Sequence, residues 1–224
     1  VAVPLNPAYT APEVAVMLAD SGARLLLVQP ATAVAGTAAT DALPGCELVE
    51  VGSPAWARLQ APGEAVPDSQ TRPESLALLL FTAGTSGRSK GAMLSHGALR
   101  SNIDALLALT EPPAVTDDDV ALVVLPLFHV YGLNTALGLA VAAGATIVLT
   151  DRFDPVDALE LVTRHAVTTV AGVPGMYRAW CATPGLAQAM AGVRLLSSGA
   201  APLPVRVFEE FEAITGRAIF EGYG

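Results

Sequence analysis

Short apolar runs alternate along the chain with longer amphipathic segments. Near the start, Thr10 and Glu13 form a Thr-x-x-Glu capping box that predicts the beginning of a helix, and Gly22 predicts its end. Strands are predicted at 24–28, 76–81, 120–125, 145–150, 167–171, 193–197 and 217–220, and further helices at 97–109, 133–142, 155–165, from 174 and at 204–215. This alternation predicts an α/β fold with a mostly parallel sheet.

The loops that follow the predicted strands are the candidate sites, because ligands of parallel sheets bind at the carboxyl ends of the strands. These loops are 82–91, 126–132, 172–175, 198–203 and 221–224.

The segment 110–119 is the best candidate for a linker. It has two prolines, and it ends in the acidic run 117–119 between apolar elements. Three neighbouring carboxylates could suggest a metal site, but the composition is more typical of a solvated linker. We therefore expect a first α/β lobe over 1–112, a linker at 113–119 and a second lobe over 120–224.

Composition limits the possible partners. The 224 residues are 52% hydrophobic, which allows a large core. The net charge of −9 leaves no basic face for nucleic acid or for an anionic membrane surface. Two cysteines far apart in the sequence indicate free thiols in a reducing compartment, so we expect a cytoplasmic protein.

The segment 120–150 has no charged residue and exceeds the length of a membrane-spanning helix. However, Pro126, Asn134 and three glycines interrupt it, and its β-branched runs flank a helical one. These features favour a buried strand-loop-helix-strand unit, so we expect no transmembrane segment.

The loop 82–91 contains the only lysine of the chain, Lys90, among twelve cationic side chains. Glycines that let backbone amides approach a ligand, hydroxyls that can bind phosphate or Mg²⁺, and one ammonium group together suit a phosphate-binding loop. The spacing differs from that of a Walker A motif. On composition alone, a flexible hairpin loop of small residues remains an alternative.

The order of residues in this loop narrows the interpretation. The run Thr82-Ala83-Gly84-Thr85-Ser86-Gly87-Arg88-Ser89-Lys90-Gly91 resembles the signature Thr-Ser-Gly-Thr-Thr-Gly-x-Pro-Lys-Gly of the adenylate-forming superfamily, which contains acyl-CoA synthetases, adenylation domains and luciferases. It departs from that signature at Ala83, Ser86 and Ser89. Two further stretches resemble motifs of this superfamily in the same order, Leu125-Pro126-Leu127-Phe128-His129-Val130-Tyr131-Gly132-Leu133 and the pair 198–203 with 221–224.

The resemblance implies an acid-thiol ligase, an AMP-forming acyl-CoA synthetase that uses ATP, Mg²⁺ and coenzyme A. Lys90 and His129 would be its catalytic residues, and Thr85 would lie near the metal. The nucleotide would be bound by Thr82, Ala83, Gly84, Thr85, Ser86, Gly87, Lys90, Gly199, Ala200, Ala201, Glu221, Gly222 and Tyr223. The acid would be bound by His129, Tyr131, Val173, Met176, Tyr177, Gly199 and Ala200.

The resemblance also implies two stacked α/β lobes of the large N-terminal domain of such an enzyme, incomplete at both ends. We expect an internal piece of a larger enzyme that is inactive alone, because the superfamily continues beyond Gly-Tyr-Gly with further catalytic residues. The predicted acid pocket has no cation, which favours a fatty or medium-chain acid. An adenylation domain or acyl-AMP ligase that loads a carrier protein remains an alternative. A non-catalytic nucleotide-binding module is another, permitted by Ala83 and Ser89.

Overall fold

The computed structural model describes residues 1–63, 71–82 and 89–222. The chain divides into two compact units, Val1–Ala98 and Leu99–Gly224. The expected linker at 113–119 lies within the second unit, and the lobe boundaries expected from the sequence remain predictions.

The first unit is built from short elements and a hairpin. Its elements are α1 (Ala11–Ser21), β1 (Leu25–Val28), a 3₁₀ turn (Pro30–Thr32), α2 (Ala33–Asp41), β2 (Glu47–Glu50), α3 (Pro54–Gln60), β3 (Leu76–Thr82) and β4 (Lys90–Ser95). Strands β1 and β2 are parallel, whereas β3 and β4 are antiparallel. The capping box of Thr10 and Glu13 is present at the start of α1, and Gly22 ends this helix in the left-handed conformation.

Helix α4 (His96–Leu107) begins in the first unit and continues into the second. The second unit then contains β5 (Val120–Val123), a π-helix (Tyr131–Gly138), α5 (Leu139–Ala143), β6 (Thr146–Leu149), α6 (Pro155–Arg164), β7 (Thr169–Gly172), α7 (Pro174–Cys181), α8 (Leu186–Met190), β8 (Leu195–Ser198), α9 (Val205–Thr215) and β9 (Phe220–Glu221).

The five strands of the second unit form one parallel sheet in the order β6-β5-β7-β8-β9. This confirms the predicted α/β fold. The strands β5, β7, β8 and β9 therefore end at the same edge, where the predicted loops begin. Asp154 caps α6 by accepting from the backbone N–H groups of Val156 and Asp157, as its position before Pro155 leads one to expect.

Helices α6 to α9 pack on one face of this sheet and form the main core. Trp180, Tyr177 and Phe211 are its largest fully buried side chains. The ring of Tyr177 meets both others edge-on, at centroid distances of 5.7 Å from Trp180 and 5.3 Å from Phe211. Such edge-to-face contacts add to the stabilisation from burial.

The segment 120–150 forms a strand, two short helical elements and a second strand. None of the helices in the described part of the chain combines the length and the apolar character that crossing a bilayer would require.

Candidate active site

A cavity of about 370 Å³ lies within the second unit, along its five-stranded sheet. Because side chains alternate along a strand, Ala121, Thr169, Leu195 and Ser197 share one face, opposite to the face that carries the buried Leu122, Val170 and Leu196 of the core. The helical residues that line the cavity are Leu106, Tyr131, Thr135, Ala136 and Leu139, and the segment 111–115 contributes Glu111, Pro112, Ala114 and Val115. The cavity is therefore mainly apolar, and among the described residues no lysine or arginine lines it.

Tyr131 marks the end of this cavity at the carboxyl edge of the sheet. Its hydroxyl lies 3.3 Å from Oγ of Ser197, and both residues line the cavity. Burial raises the pKa of Tyr131, although the hydrogen bond with Ser197 lowers it in part. The phenol is thus a neutral hydrogen-bonding group at the mouth of an apolar space.

Gly199 allows the loop after β8 to pack directly on the ring of Tyr131. A Cβ at position 199 would lie 3.1 Å from two ring carbons, closer than side chains normally approach. Gly132 avoids a similar steric clash at the start of the π-helix, where a Cβ would lie 2.4 Å from the carbonyl oxygen of Pro126. The two glycines therefore fix the position of Tyr131 from both sides.

The loops after β8 and β9 are tied together. The N–H of Gly222 donates to the carbonyl of Ser198 at 2.8 Å, and the N–H of Leu203 donates to the Glu221 carboxylate at 3.1 Å. Ala200 is left-handed, with φ 67°, and both it and Ala201 are exposed. The structure thus brings together all the described residues of the predicted adenine site, while Tyr223 lies outside the described residues.

The other residues predicted to bind the acid lie elsewhere in the second unit. Tyr177 is fully buried in the core and donates from its hydroxyl to the carbonyl of Ser197 at 2.6 Å. Met176 is also buried in the core, and Val173 packs against this core cluster. Neither these three residues nor Gly199 and Ala200 are among the described residues that line the cavity.

His129 lies in the loop that leads from β5 to the π-helix. It is exposed, its ring centroid lies 4.7 Å from that of Phe128, and its carbonyl accepts from the N–H of Leu133 at 2.9 Å. It is not among the described residues that line the cavity. The histidine is therefore placed at the carboxyl edge of the sheet with its side chain open to solvent.

In the first unit, the antiparallel pair β3–β4 brackets the predicted phosphate-binding loop. Thr82 and Lys90 are directly opposite each other in the register, and Oγ1 of Thr82 donates to the carbonyl of Lys90 at 3.4 Å. Both residues are exposed. Ala83, Gly84, Thr85, Ser86 and Gly87 lie outside the described residues, so their predicted contacts with phosphate and Mg²⁺ remain predictions.

Asp119 is the main feature that the sequence reasoning missed. It was expected in a solvated linker, but only 3% of its surface is exposed. Its carboxylate pairs with the Arg194 guanidinium and accepts from Thr116 and Thr168. Burial alone would raise its pKa, but the hydrogen bonds from Arg194, Thr168 and Thr116 lower the pKa well below the usual range of an aspartate. Within the described ranges, no group of three or more metal-ligating side chains occurs.

Comparison with known proteins decides the family. The model of the AMP-binding enzyme family matches residues 1–224. The chain belongs to the AMP-binding enzyme family. The resemblance inferred from the three sequence motifs is thereby confirmed.

Among relatives of this AMP-binding chain, 4-coumarate--CoA ligase 5 from Oryza sativa subsp. japonica is 34% identical over 229 residues, which cover 98% of this chain and 42% of the relative. A long-chain-fatty-acid--CoA ligase from Bacillus subtilis (strain 168) is 33% identical over 150 residues, 66% of this chain and 27% of the relative. A crystal structure of ATP-bound MatB from Rhodopseudomonas palustris matches with a TM-score of 0.88 and 32% identity, covering 99% of this chain and 44% of that one. The chain thus spans less than half the length of these proteins.

Proposed function

We propose that the protein containing this AMP-binding chain activates an apolar carboxylic acid with ATP and transfers the acyl group to coenzyme A. The cavity beside Tyr131 carries this proposal. It lies between the sheet and the π-helix, it is lined mainly by apolar side chains, and its volume of about 370 Å³ is in the range of small-molecule sites. The names of the coumarate and fatty-acid ligases that resemble the chain support the reaction class.

The charge of the lining favours a monocarboxylic acid. The charged residues of the described lining are both acidic, Glu111 and Glu221. A second carboxylate on the substrate would be buried near these groups without a cation, which is costly. We infer that a fatty or medium-chain acid is the substrate, with an aryl acid of similar size as the alternative that the rice relative supports.

The first step is the attack of the substrate carboxylate on the α-phosphorus of ATP, which forms acyl-AMP and releases pyrophosphate. Two anions must meet in this step, so it requires neutralisation of charge and precise positioning. In the first unit, we assign the phosphates to the loop 82–87 and to the exposed ammonium of Lys90. In the second unit, we assign adenine to the joined loops that contain Gly199 and Gly222, extended by Ala200, Ala201, Glu221 and Tyr223.

In the second step, the thiolate of coenzyme A attacks the acyl carbonyl, and AMP leaves. Tyr131 would orient the acid at the mouth of the cavity, and His129 would lie at the same edge of the sheet. Mg²⁺, which the resemblance assigns to Thr85, would neutralise phosphate charge. These roles are part of the proposal.

The test is carboxylate-dependent release of AMP by the purified protein that contains this chain. The panel is acetate, octanoate, tetradecanoate, 4-coumarate and malonate, each with ATP, Mg²⁺ and coenzyme A. We expect turnover with octanoate or a longer fatty acid, and none above background with malonate. Turnover of malonate alone, or of no acid, would refute the proposal, whereas preference for 4-coumarate would select the aryl alternative.

A pair of variants links the activity to the cavity. Thr135→Leu adds bulk to the lining, so it should raise KM for the preferred acid while leaving the affinity for ATP unchanged. Val141→Leu is the matched control, because Val141 is 63% exposed on the adjoining helix α5. Equal KM values for the two variants would show that the acid binds elsewhere.

A further inference from the structure

We propose that the Asp119–Arg194 pair determines the length of acid that this protein accepts, because it holds the segment 111–115 in place as the far wall of the cavity. The inference rests on the proposed function and deepens it. Both residues are positioning residues, since neither lines the cavity itself.

The pair lies at the amino ends of three adjacent strands. Asp119 directly precedes β5, Thr168 directly precedes β7 and Arg194 directly precedes β8. Nε of Arg194 donates to Oδ1 of Asp119 at 2.8 Å, and the hydroxyl of Thr168 donates to the same oxygen at 2.7 Å. A second nitrogen of Arg194 donates to Oδ2, so the contact is a two-pronged, charge-assisted one.

The same pair holds the segment that precedes β5 at two points. Nη1 of Arg194 donates to the carbonyl of Pro113 at 2.8 Å. The N–H and the hydroxyl of Thr116 both donate to Oδ2 of Asp119, at 2.7 and 3.1 Å. The residues between these anchors, Ala114 and Val115, line the cavity. Their distance from the sheet is therefore set by the ion pair.

This wall is opposite to the reacting end. Tyr131 meets Ser197 near the carboxyl end of β8, whereas Arg194 comes three residues earlier, at the amino end of the same strand. With a rise of about 3.3 Å per residue, the two ends of the cavity are about 10 Å apart along β8. An acid whose carboxylate lies at the Tyr131 end must place its far end against Ala114 and Val115.

Loss of the pair should therefore change recognition of long acids selectively. Without Arg194, the carbonyl of Pro113 and the Asp119 carboxylate lose their shared partner, and the wall can move outwards. A longer acid can then bury further methylene groups, each worth about fourfold in affinity. Octanoate, whose extended chain is about as long as this part of the cavity, gains no further buried methylene groups when the wall moves, and the Tyr131 end keeps its contacts, so kcat for octanoate should not change.

The experiment compares Arg194→Met, Arg194→Lys and Val115→Ala in the protein that contains this chain. We expect Arg194→Met to raise kcat/KM for tetradecanoate relative to octanoate by roughly tenfold, mainly through KM, with kcat for octanoate within about twofold of the unmodified protein. Arg194→Lys keeps one charged donor and should give an intermediate ratio. Arg206→Met, at an exposed position of α9, is the control and should leave the ratio unchanged.

Val115→Ala keeps the proposal testable if Arg194→Met does not fold, because it shortens a wall residue and leaves the ion pair intact. It should shift the ratio in the same direction by a smaller factor. An unchanged ratio in an Arg194→Met protein that folds would overturn the role of the ion pair. If Arg194→Met does not fold, an unchanged ratio in Val115→Ala would overturn the inference.

Calorimetric binding of octanoate and tetradecanoate without ATP separates this inference from the proposed function. If no acid is turned over but Arg194→Met still shifts the ratio of the two dissociation constants, the proposed reaction fails and the role of the ion pair stands. If neither acid binds to the unmodified protein, both fail.

Discussion

Gly132→Ala is the sharpest test of how the site is built. Gly132 follows Tyr131 at the beginning of the π-helix, and it is buried. An added methyl group would lie 2.4 Å from the carbonyl oxygen of Pro126 and 2.9 Å from that of Leu125. Both atoms belong to the backbone, so neither can turn away as a side chain could. The turn 126–132 must therefore move.

The magnitude follows from two opposing terms. Inserting a methyl group into a packed region costs about 1–3 kcal/mol, and contact with two backbone oxygens argues for the upper end. Replacing glycine by alanine in a helix increases the free energy of unfolding by about 1 kcal/mol, because alanine has the higher helix propensity. The net loss in the free energy of unfolding is then about 2 kcal/mol. For a domain of this size, that corresponds to a fall in Tm of about 4–8 °C.

Gly175→Ala is the matched control. Gly175 also lies within a helix, α7, but a methyl group there would meet no atom within 4 Å. Thermal unfolding followed by circular dichroism should show a fall in Tm for Gly132→Ala and no fall, or a small rise, for Gly175→Ala. Because Tyr131 must shift with the turn, KM for the acid should also rise in Gly132→Ala alone. Equal Tm values for the two variants would refute the steric argument.

Two further predictions concern buried ionisable groups. Asp119→Asn should lower the free energy of unfolding by about 2 kcal/mol at pH 7 in urea titrations, whereas Asp117→Asn, at an exposed position, should have little effect. Because the native pKa of Asp119 is lowered, this difference should be full above the unfolded-state pKa of about 3.9 and shrink as pH falls below that value towards the native pKa. A difference that does not shrink at all between pH 7 and pH 2 would count against the assignment. Tyr177→Phe should cost about 1–2 kcal/mol because it removes the hydrogen bond from the buried hydroxyl to the carbonyl of Ser197. Since burial raises the pKa of Tyr177, the unmodified protein should keep this contribution below the unfolded-state pKa of about 10 and lose it as pH rises towards the native value, and Tyr177→Phe should show less alkaline destabilisation in the same titration.

The sequence predicted the elements well where local signals define them. The capping box at Thr10 and the Asp154-Pro155 pair both satisfy backbone groups within a few residues. Each can therefore be recognised from a short stretch of sequence. The α/β class followed from the alternation of strands and helices. The helix expected at 133–142 was less accurate, because the chain first forms a π-helix at Tyr131–Gly138 and only then α5. A change of helical pitch leaves no clear periodic signal in so short a segment.

The motifs led to the edge of the sheet at which the cavity lies, but they did not identify most of the residues that line it. Tyr131 lies at the cavity, as expected, but Thr135 and Ala136 also line it and were not in the predicted set. Their contribution depends on the π-helix, which the sequence did not reveal. Tyr177 illustrates the reverse case, since it comes shortly after the loop predicted to follow β7 and was expected to bind the acid, yet its side chain is buried in the core. A loop can thus be placed from its sequence while the direction of each side chain depends on packing.

The Asp119–Arg194 pair shows why one end of the cavity could not be predicted from the sequence. The motifs at the carboxyl edge are contiguous runs, whereas Asp119 and Arg194 are 75 residues apart and meet only because β5, β7 and β8 are parallel neighbours. Asp119 also follows two exposed aspartates, so composition assigned all three to solvent. Burial of one of them is possible only with a paired cation and further hydrogen bonds, which Arg194, Thr168 and Thr116 provide. The residues at the edge where the reaction is proposed to take place are thus encoded in contiguous motifs. The end of the cavity that is proposed to limit the length of the acid depends instead on the topology of the sheet.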